Sequence, residues 1–355
     1  MGKKILLGMS GGVDSSVSAI LLQEAGYEVY GVTMKLWESD DEDVEGGCCS
    51  LSTTADAKRV CDSLGIPHYT INFKEEFTDK VINNFICEYS NCRTPNPCIE
   101  CNKYLKFGAM YEKTKELGIE YIATGHYAKT EYDEKYNRYV LKKAKNIAKD
   151  QSYVLYNIPK DLISKVVFPL ADFDSKDQIR QIAKEHNLRV ATKPDSEDIC
   201  FIPDGDYKKF LEKNSGLKPH EGNIVNSKGE ILGKHHGLYN YTIGQRKGLG
   251  ISYKVPLFVI GFNKIKNQVI VGEESELYKK EILVDNINLL LIDDLKEPMK
   301  VNVKTRYSSK VASAIIEKID KNIKVTFDEP QARITPGQSA VFYLDDIVLG
   351  GGKIM

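Results

Sequence analysis

Short apolar runs alternate with segments of helical period through roughly the first two hundred residues of the chain. Short apolar runs bounded by turn residues predict buried strands, and apolar positions that recur every three or four residues predict amphipathic helices. The pattern predicts strands at residues 4–9, 28–36, 68–72 and 121–124, and helices at residues 15–25, 55–64, 75–89 and 104–117. Such alternation is typical of a parallel sheet flanked by helices, so the N-terminal part is predicted to be an α/β domain.

The pattern changes after about residue 205. Residues 221–250 contain seven glycines, which indicates a small domain of loops and short strands. Farther along, segments such as 301–305 and 323–327 alternate with period two, which favours a small antiparallel barrel or sandwich. We therefore predict three domains, namely a catalytic domain at 1–205, a small central domain at 206–277 and a C-terminal antiparallel β-barrel at 278–355.

Composition narrows the class of protein. A chain of 355 residues, 42% hydrophobic and 28% charged, can bury the cores of several domains. No run approaches the ~18 apolar residues of a membrane span, so we expect a cytoplasmic protein with no membrane partner. The eight cysteines are too sparse for a disulfide scaffold in a chain this long. Their chemistry is therefore expected to be redox, metal binding or nucleophilic attack.

The net charge of −1 gives no global case for a nucleic-acid partner, so a partner of this kind would have to contact local basic patches. Residues 138–149 contain five basic and no acidic side chains, and residues 300–310 contain four. Each patch taken alone is as compatible with a solvated face as with a phosphate contact. The acidic segment 38–45 is predicted to be a surface loop. The two patches consist of Arg138, Lys142, Lys143, Lys145 and Lys149, and of Lys300, Lys304, Arg306 and Lys310.

A glycine- and serine-rich loop connects the first predicted strand to the first predicted helix. Its residues are Gly8, Met9, Ser10, Gly11, Gly12, Val13, Asp14 and Ser15. Glycines let backbone amides close on an anion, and a helix N-terminus adds partial positive charge, so the loop suits phosphate. The lysine of a Walker loop is missing, so transfer of the γ-phosphate is not indicated.

This loop resembles that of the PP-loop ATP pyrophosphatase superfamily, whose members cleave ATP between the α and β phosphates and adenylate a substrate oxygen. The resemblance implies ATP and Mg²⁺ as cofactors. It also implies that Asp14 helps to hold Mg²⁺ against the pyrophosphate, and that Met34 and Gly125 line the adenosine pocket.

Residues 93–102 carry two prolines and a Cys-x-x-Cys motif, Cys98 and Cys101, just before a predicted helix. Prolines stiffen a loop, and a thiol near a helix N-terminus has a lowered pKa and more thiolate. The residues alone also admit a zinc site that includes Cys87 and Cys92, or a pair of inert buried cysteines.

Ordered motifs along the whole chain resemble those of the tRNA-specific 2-thiouridylases. They lie at residues 8–15, 94–102, 124–127, 149–153, 195–203, 241–250 and 335–338. The resemblance implies ATP-dependent thiolation of carbon 2 of the wobble uridine, U34, with release of AMP and pyrophosphate. Cys200 would carry sulfur as a persulfide, and Cys101 would be the nucleophile or resolving thiol. Asn96, Pro97 and Cys98 would surround the target base, and the implied tRNA contacts are His126, Lys149, Asp150, Gln151, Arg306, Tyr307 and Gln338.

The resemblance also implies the partners, which are the tRNAs for lysine, glutamate and glutamine and a sulfur donor such as a cysteine desulfurase or relay protein. One position departs from the family pattern, because many members carry aspartate where this chain has Cys98. Cys98 would then act as a thiolate in place of the carboxylate. Alternatively, Cys98, Cys101 and Cys200 would hold a [4Fe–4S] cluster with one iron open to sulfide, and both alternatives stay open.

Two other functions compete with thiolation. One is a different PP-loop enzyme, such as a lysidine, GMP or NAD synthetase, in which nitrogen attacks the adenylate and no cysteine trio is needed. The other is a non-catalytic RNA-binding protein with a zinc site. Release of AMP and pyrophosphate from ATP on addition of tRNA discriminates between an enzyme of this kind and a binding protein. No role is assigned to Cys48 and Cys49.

Overall fold

The computed structural model describes residues 2–37, 51–194 and 199–355, with the backbone alone at residue 51. The predicted acidic loop at 38–45, the pair Cys48 and Cys49, and residues 195–198 of the segment before Cys200 lie outside the described residues. Within the described ranges, no helix has the length and apolar character that crossing a membrane requires.

The N-terminal domain contains the predicted parallel sheet. Its strands are β1 Lys4–Gly8, β2 Glu28–Lys35, β3 His68–Asn72, β4 Tyr121–Thr124 and β7 Val166–Val167, and a hairpin of β5 Ala128–Asp133 and β6 Arg138–Lys143 precedes the last of them. The parallel order is β3-β2-β1-β4-β7. Ile5, Leu6 and Leu7 of β1 are completely buried because helices cover both faces of the sheet. The predicted α/β class is confirmed.

Helices follow the strands as predicted, but two of them are interrupted by wider π-helical turns. The helices are α1 Val13–Glu24, α2 Leu51–Leu64, α3 Lys74–Phe77, α4 Asn83–Ser90, α5 Pro97–Glu100, α6 Met110–Glu116, α7 Ser152–Leu155, α8 Lys176–Glu185 and α9 Tyr207–Ser215. π-helical turns at Thr78–Ile82 and Cys101–Ala109 join α3 to α4 and α5 to α6.

One helix begins earlier than the pattern predicts. The prediction placed its start at residue 104, with both cysteines in the preceding loop, whereas the structure starts the helix at Pro97. Proline is favoured at the first helical position because its fixed φ suits the helix and its missing N–H would have no intrahelical partner there. Cys98 and Cys101 therefore lie inside the first turns of a helix.

The central domain is a small sheet with the order β10-β11-β8-β9. Its strands are β8 Glu221–Asn226, β9 Ile231–His236, β10 Phe258–Asn263 and β11 Gln268–Gly272. Ile224, Val259, Val269 and Val271 are completely buried and form its core.

The C-terminal domain is a closed antiparallel barrel, which decides between the predicted barrel and sandwich. Its strands are β12 Tyr278–Leu289, β13 Met299–Lys304, β14 Ala312–Ile319, β15 Asn322–Ala332, β16 Ser339–Leu344 and β17 Ile347–Ile354. Closure comes from the pairing of β12 with β17, in which Val284 lies opposite Ile354. Closure leaves no free edge between the first and last strands of the barrel.

The barrel is joined directly to the catalytic domain. The hairpin β5–β6 extends the barrel sheet, with Lys142 opposite Ile347. The Tyr153 hydroxyl donates to the Ser339 carbonyl at 2.9 Å, and the Asn288 amide donates to the Tyr156 carbonyl at 2.9 Å. These contacts hold the barrel against the catalytic domain.

Candidate active site

A cavity of about 320 Å³ lies at the carboxyl ends of β1 and β4, where the connections leave the sheet in opposite directions. Ligands of open α/β sheets bind at such a switch point. The cavity brings together three groups of predicted site residues from distant parts of the sequence. They are Gly8, Met9, Ser10, Asp14, Ser15, Met34 and Gly125 of the nucleotide set, Pro97, Cys98, Cys101 and Cys200 of the sulfur and base set, and His126 and Gln151 of the tRNA set.

The predicted phosphate loop is a tight turn between β1 and α1. Gly11 has φ of +69°, and a Cβ there would lie 2.3 Å from the Thr53 carbonyl oxygen. The loop is braced by serine hydroxyls, since Ser16 Oγ donates to the Gly12 carbonyl at 2.8 Å. No side chain caps Gly12, the N-cap of α1, so backbone amides and the helix dipole are left to a ligand.

Gly125 closes the cavity on the β4 side. A Cβ at this position would lie 2.9 Å from the Ser15 amide nitrogen and 3.0 Å from the Asp14 carbonyl carbon. The end of β4 therefore approaches the first turn of α1 so closely that only glycine fits at this position. A cradle of this kind, with serine hydroxyls and a carboxylate as hard oxygen ligands, fits Mg²⁺ and the phosphates of ATP.

Asp14 and its neighbours supply charge to the loop. The Tyr127 hydroxyl donates to Asp14 Oδ1 at 2.7 Å, and Lys176 Nζ lies 2.5 Å from Asp14 Oδ2. A second lysine, Lys193, donates to the Gly11 carbonyl at 3.2 Å and to Asp56 at 2.9 Å. Sequence reasoning missed both lysines because they follow the loop by more than 160 positions and match no phosphate-binding spacing.

The three candidate cysteines differ in exposure. Cys98 is exposed, Cys200 is half-buried and Cys101 is buried, and all three line the cavity. The described His, Cys, Asp and Glu side chains nevertheless form no group of three or more that could hold a metal ion. Among the described residues the three cysteines therefore share the cavity without forming a site for a single metal ion such as zinc.

Cys200 is positioned by the residue that follows it. Phe201 is buried and packs edge-on against Phe77 and Phe85, with ring centroids 5.6 and 5.3 Å away. Its centroid lies 5.1 Å from that of Phe210 in α9. This aromatic anchor holds the Cys200 segment between the catalytic domain and the first helix after it.

The loop that carries Asn96, the N-cap of α5, is held by the barrel. Gln338 Nε2 donates to the carbonyls of Thr94 and Pro95, each at 3.0 Å. The Thr94 amide donates to the Pro336 carbonyl at 2.9 Å. The prediction made Gln338 a tRNA contact, whereas its amide group here contacts the loop predicted to surround the base.

Replacing Gln338 by leucine is expected to lower kcat/KM for tRNA, the substrate that the resemblance implies, roughly tenfold, because two hydrogen bonds of about 0.5–1.5 kcal/mol each are lost. Binding of ATP should change little, since Gln338 does not line the cavity. Steady-state kinetics with tRNA as the varied substrate measures the effect. The matched control is Gln331→Leu, at a residue whose amide group donates only to the carbonyl of Glu329. Equal kinetics for the two variants would contradict this role.

Tyr307 and Arg306 lie at the junction of the three domains. Tyr307 is partly exposed, and burial, Asp150 and Cys98 raise the pKa of its hydroxyl, so the ring lies near the cysteine. Arg306 donates to the Ile243 carbonyl at 3.2 Å, and its Nε is buried without a partner among the described residues. Burial lowers the pKa of Arg306, and so does the charge of Arg333.

The remaining predicted tRNA residues differ in character. Asp150 is 5% exposed, and its carboxylate accepts hydrogen bonds from the Ala144 amide and the Ser152 hydroxyl. Its burial raises its pKa and argues against a direct tRNA contact through its side chain. Gln151 lines the cavity, where its Oε1 accepts from the Tyr127 amide, and Lys149 is partly exposed.

The basic patch at 138–149 is largely neutralised by carboxylates from elsewhere in the chain. Lys142 contacts Glu131 at 3.0 Å and Asp346 at 2.9 Å, and Lys145 contacts Asp174 at 3.0 Å. Arg138 lies 3.5 Å from Asp293, and in the second patch Lys300 lies 3.4 Å from Asp328. For these four residues the structure favours the solvated face over the phosphate contact.

Three family models match the chain. The model described as "tRNA methyl transferase HUP domain" matches residues 3–204, "tRNA methyl transferase PRC-barrel domain" matches residues 208–273, and "Aminomethyltransferase beta-barrel domain" matches residues 279–354.

The chain is also similar to curated proteins over its whole length. It is 51% identical to a protein named tRNA-specific 2-thiouridylase from Clostridioides difficile, covering 100% of this chain and 98% of the relative. It is 51% identical to the protein of the same name from Acetivibrio thermocellus, covering 99% of each chain. A third relative of that name, from Clostridium botulinum, is 50% identical and covers 100% of this chain and 99% of its own.

Proposed function

The chain belongs to the tRNA-specific 2-thiouridylase family, and from this premise we propose that it thiolates carbon 2 of the wobble uridine of tRNA at the expense of ATP. One observation carries the proposal. A phosphate-binding loop and the sulfur-bearing candidates Cys101 and Cys200 line the same cavity of about 320 Å³. Adenylation and sulfur transfer must occur on one uridine, and this cavity joins the groups that both reactions need.

Adenylation is the first proposed step. The uridine O2 attacks the α-phosphorus of ATP, the O2–phosphorus bond forms, and the bond to the β-phosphate breaks with release of pyrophosphate. The N3 proton of the base leaves in this step. The turn at Gly11 and the uncapped N-terminus of α1 bind the phosphates, and Lys176 and Lys193 add positive charge beside them. Mg²⁺, held by Asp14, would screen the charge of the phosphates.

Sulfur transfer is the second proposed step. The terminal sulfur of a persulfide on Cys200 attacks carbon 2, and AMP leaves with the former O2. The Cys101 thiolate then attacks the Cys200 sulfur of the resulting carbon–sulfur–sulfur linkage. Two electrons move to the sulfur on carbon 2, which becomes the thiocarbonyl as N3 regains a proton, and Cys101 and Cys200 become a disulfide. A thiol reductant of the donor system resets the pair.

We propose the persulfide route because it needs only Cys101 and Cys200, the two cysteines that the resemblance assigns to sulfur transfer. Three thiolates also have the right chemistry for a [4Fe–4S] cluster. No step is assigned to a cluster. Cys98 is proposed to stand beside the target base with Asn96 and Pro97, where many relatives carry a carboxylate.

The proposed partners are the tRNAs for lysine, glutamate and glutamine, and a protein that delivers persulfide sulfur, either a cysteine desulfurase or a relay protein. We propose a cytoplasmic location, and three domains at 1–205, 206–277 and 278–355. His126, Lys149, Gln151, Arg306 and Tyr307 are proposed as the tRNA side of the site.

Purified protein incubated with Mg²⁺, a persulfide donor and ATP labelled at the α-phosphate tests the function. AMP and pyrophosphate are expected to appear when unmodified tRNA is added, and not when the tRNA carries cytidine at the wobble position. Formation of ADP, or of AMP at the same rate without tRNA, would contradict the proposed adenylation.

Replacing Arg333 by glutamine is expected to weaken tRNA binding and to lower the slope of log affinity against log salt by about 0.7–0.9, the share of one phosphate contact. Arg333 is exposed, and within the described ranges no carboxylate pairs with it. It lies beside Arg306, whose pKa its charge lowers. Filter binding over a salt series measures the slope.

The control for Arg333→Gln is Lys145→Gln, which removes a basic residue already paired with Asp174. Its salt slope should match that of the unmodified protein. A lower slope for Lys145→Gln, with no change for Arg333→Gln, would show instead that the 138–149 patch contacts tRNA.

A further inference from the structure

The cavity is lined by a lysine to which neither phosphate binding nor sulfur transfer has assigned a role. Lys106 lies in the π-helical turn Cys101–Ala109 and lines the cavity. π-helical turns are rare and occur frequently at functional sites. In a regular α-helix the residue one turn after Cys101 would be residue 105, because neighbours on one face lie three or four positions apart. Here Leu105 is completely buried in the core, and Lys106 faces the cavity instead.

Along its helix, Lys106 lies between the end of the cavity that Cys101 lines and the end that the phosphate loop forms. Cys101 lines the cavity at one end of the π-helical turn. At the other end, Met110 packs on the phosphate loop, since a Cβ at Gly8 would lie 3.5 Å from the Met110 methyl carbon. The α-phosphate of a bound ATP must also lie between these ends, because it joins the pyrophosphate to the oxygen that the sulfur replaces.

Hydrogen bonds fix the charge on Lys106. Lys106 Nζ lies 3.3 Å from His126 Nε2, and His126 Nδ1 lies 2.6 Å from the Thr124 hydroxyl. An ammonium group only donates, so Nε2 accepts and the ring carries its proton on Nδ1, which donates to Thr124. Burial and the neighbouring Lys106 lower the pKa of His126 well below its ordinary value, so the ring is neutral. The positive charge therefore resides on the lysine.

Lys106 has no competing anion in the part of the chain that the structure describes. Within the residues that the structure describes, no carboxylate lies in ion-pair distance of Lys106 Nζ. Three other lysines of the catalytic domain differ in this respect, since Lys142, Lys145 and Lys176 are each paired with a carboxylate. A cation held over a cavity by a neutral acceptor is available to a bound anion.

We propose that Lys106 is a catalytic residue of this enzyme, whose ammonium group contacts the α-phosphate of ATP and of the adenylated uridine, with His126 and Thr124 as its positioning residues. The proposal rests on the proposed function and adds a residue to it. Contact with the α-phosphate stabilises the charge that develops on its oxygens as O2 attacks, and again as AMP leaves carbon 2. No proton transfer is required of Lys106 in either step.

Lys106→Met tests the contact. The rate of tRNA-dependent AMP formation is expected to fall about 100- to 1,000-fold, as on removal of a preorganised donor to a developing anion. Lys106→Arg should recover at least about a tenth of the rate, because it restores the charge. The matched control is Lys103→Met on the same helix, which removes a lysine outside the cavity lining and should keep full activity.

A readout that does not depend on adenylation separates chemistry from folding. Persulfide loaded onto Cys200 by inorganic polysulfide and trapped by alkylation should be equal in Lys106→Met and the unmodified protein. His126→Phe should lower kcat for AMP formation, and His126→Gln, which keeps an acceptor for the lysine, should recover most of that kcat.

The outcomes distinguish this proposal from the function on which it rests. If the unmodified protein forms no AMP with tRNA, the proposed function fails. If it does, and Lys106→Met forms AMP at the unmodified rate or falls no further than Lys103→Met, Lys106 is not a catalytic residue. A loss of persulfide loading equal to the loss of AMP formation would also overturn the proposal, because it would show a general structural defect.

Discussion

Replacing Cys200 by serine is expected to abolish formation of 2-thiouridine, by at least about a thousandfold, because the proposed persulfide has no other carrier. The fold should persist, since Phe201 anchors the segment in an aromatic cluster and the serine adds no bulk. Pyrophosphate release with tRNA should continue for one turnover, because adenylation precedes sulfur transfer, whereas AMP leaves only when sulfur attacks carbon 2. Nucleoside analysis of the tRNA product and measurement of pyrophosphate follow the two steps separately.

Cys87→Ser is the matched control, because Cys87 is exposed and does not line the cavity. It should thiolate tRNA at the unmodified rate. Thiolation that survives in Cys200→Ser would remove Cys200 from the mechanism. A loss of pyrophosphate release in the same variant would mean that Cys200 acts before adenylation.

Cys98→Asp distinguishes the persulfide route from a cluster. It places at this position the carboxylate that many relatives carry, so activity should be retained if the cysteines act as a persulfide relay. A [4Fe–4S] cluster would lose a ligand in this variant, and with it thiolation. Iron analysis of anaerobically reconstituted protein gives the second readout. About four irons per chain, lost together with activity in Cys98→Asp, would contradict the persulfide route.

Replacing Asp14 by asparagine is expected to lower AMP formation about 100-fold or more, with the fold intact. The carboxylate lies in the phosphate loop at the edge of the sheet. Asparagine keeps the size of this side chain but removes its negative charge and one of the two oxygens that could bind Mg²⁺ or accept from Lys176. The release of labelled AMP in the presence of tRNA measures the loss, and raising the Mg²⁺ concentration should recover part of it.

The control for Asp14→Asn is Asp62→Asn, an exposed carboxylate of the same domain. Thermal unfolding should be similar for both variants. Full activity in a folded Asp14→Asn protein would remove Asp14 from the site, and its role as a brace for Lys176 would then be structural alone.

The parallel sheet could be predicted from the sequence because its buried strands appear as apolar runs. Ile5, Leu6 and Leu7 are apolar in succession for a physical reason, since helices cover both faces of β1. The closure of the C-terminal barrel could not be predicted in the same way. The alternation of apolar and polar residues predicts single strands, whereas closure of the barrel depends on pairing between strands distant in sequence, as between Val284 and Ile354.

Chemistry and resemblance predicted that the three cysteines share one site, and in the structure all three line one cavity. Their helical setting was not predicted, because apolar periodicity alone does not detect a helix that begins at Pro97. The cations that face the cavity and the loop were also missed. Lys106 faces the cavity only because a π-helical turn buries Leu105 in its place, and the charge of Lys142 is neutralised by Asp346, some two hundred residues away in sequence.

The central claim is that one cavity adenylates the wobble uridine and delivers sulfur to it. The most direct measurement is mass spectrometry of nucleosides from unmodified tRNA incubated with the protein, ATP, Mg²⁺ and a persulfide donor, with AMP and pyrophosphate measured in the same reaction. We expect 2-thiouridine at the wobble position in amounts equal to AMP and pyrophosphate, and none when ATP or the donor is omitted. Unmodified uridine in tRNA from a reaction that has nevertheless released AMP and pyrophosphate would contradict this claim.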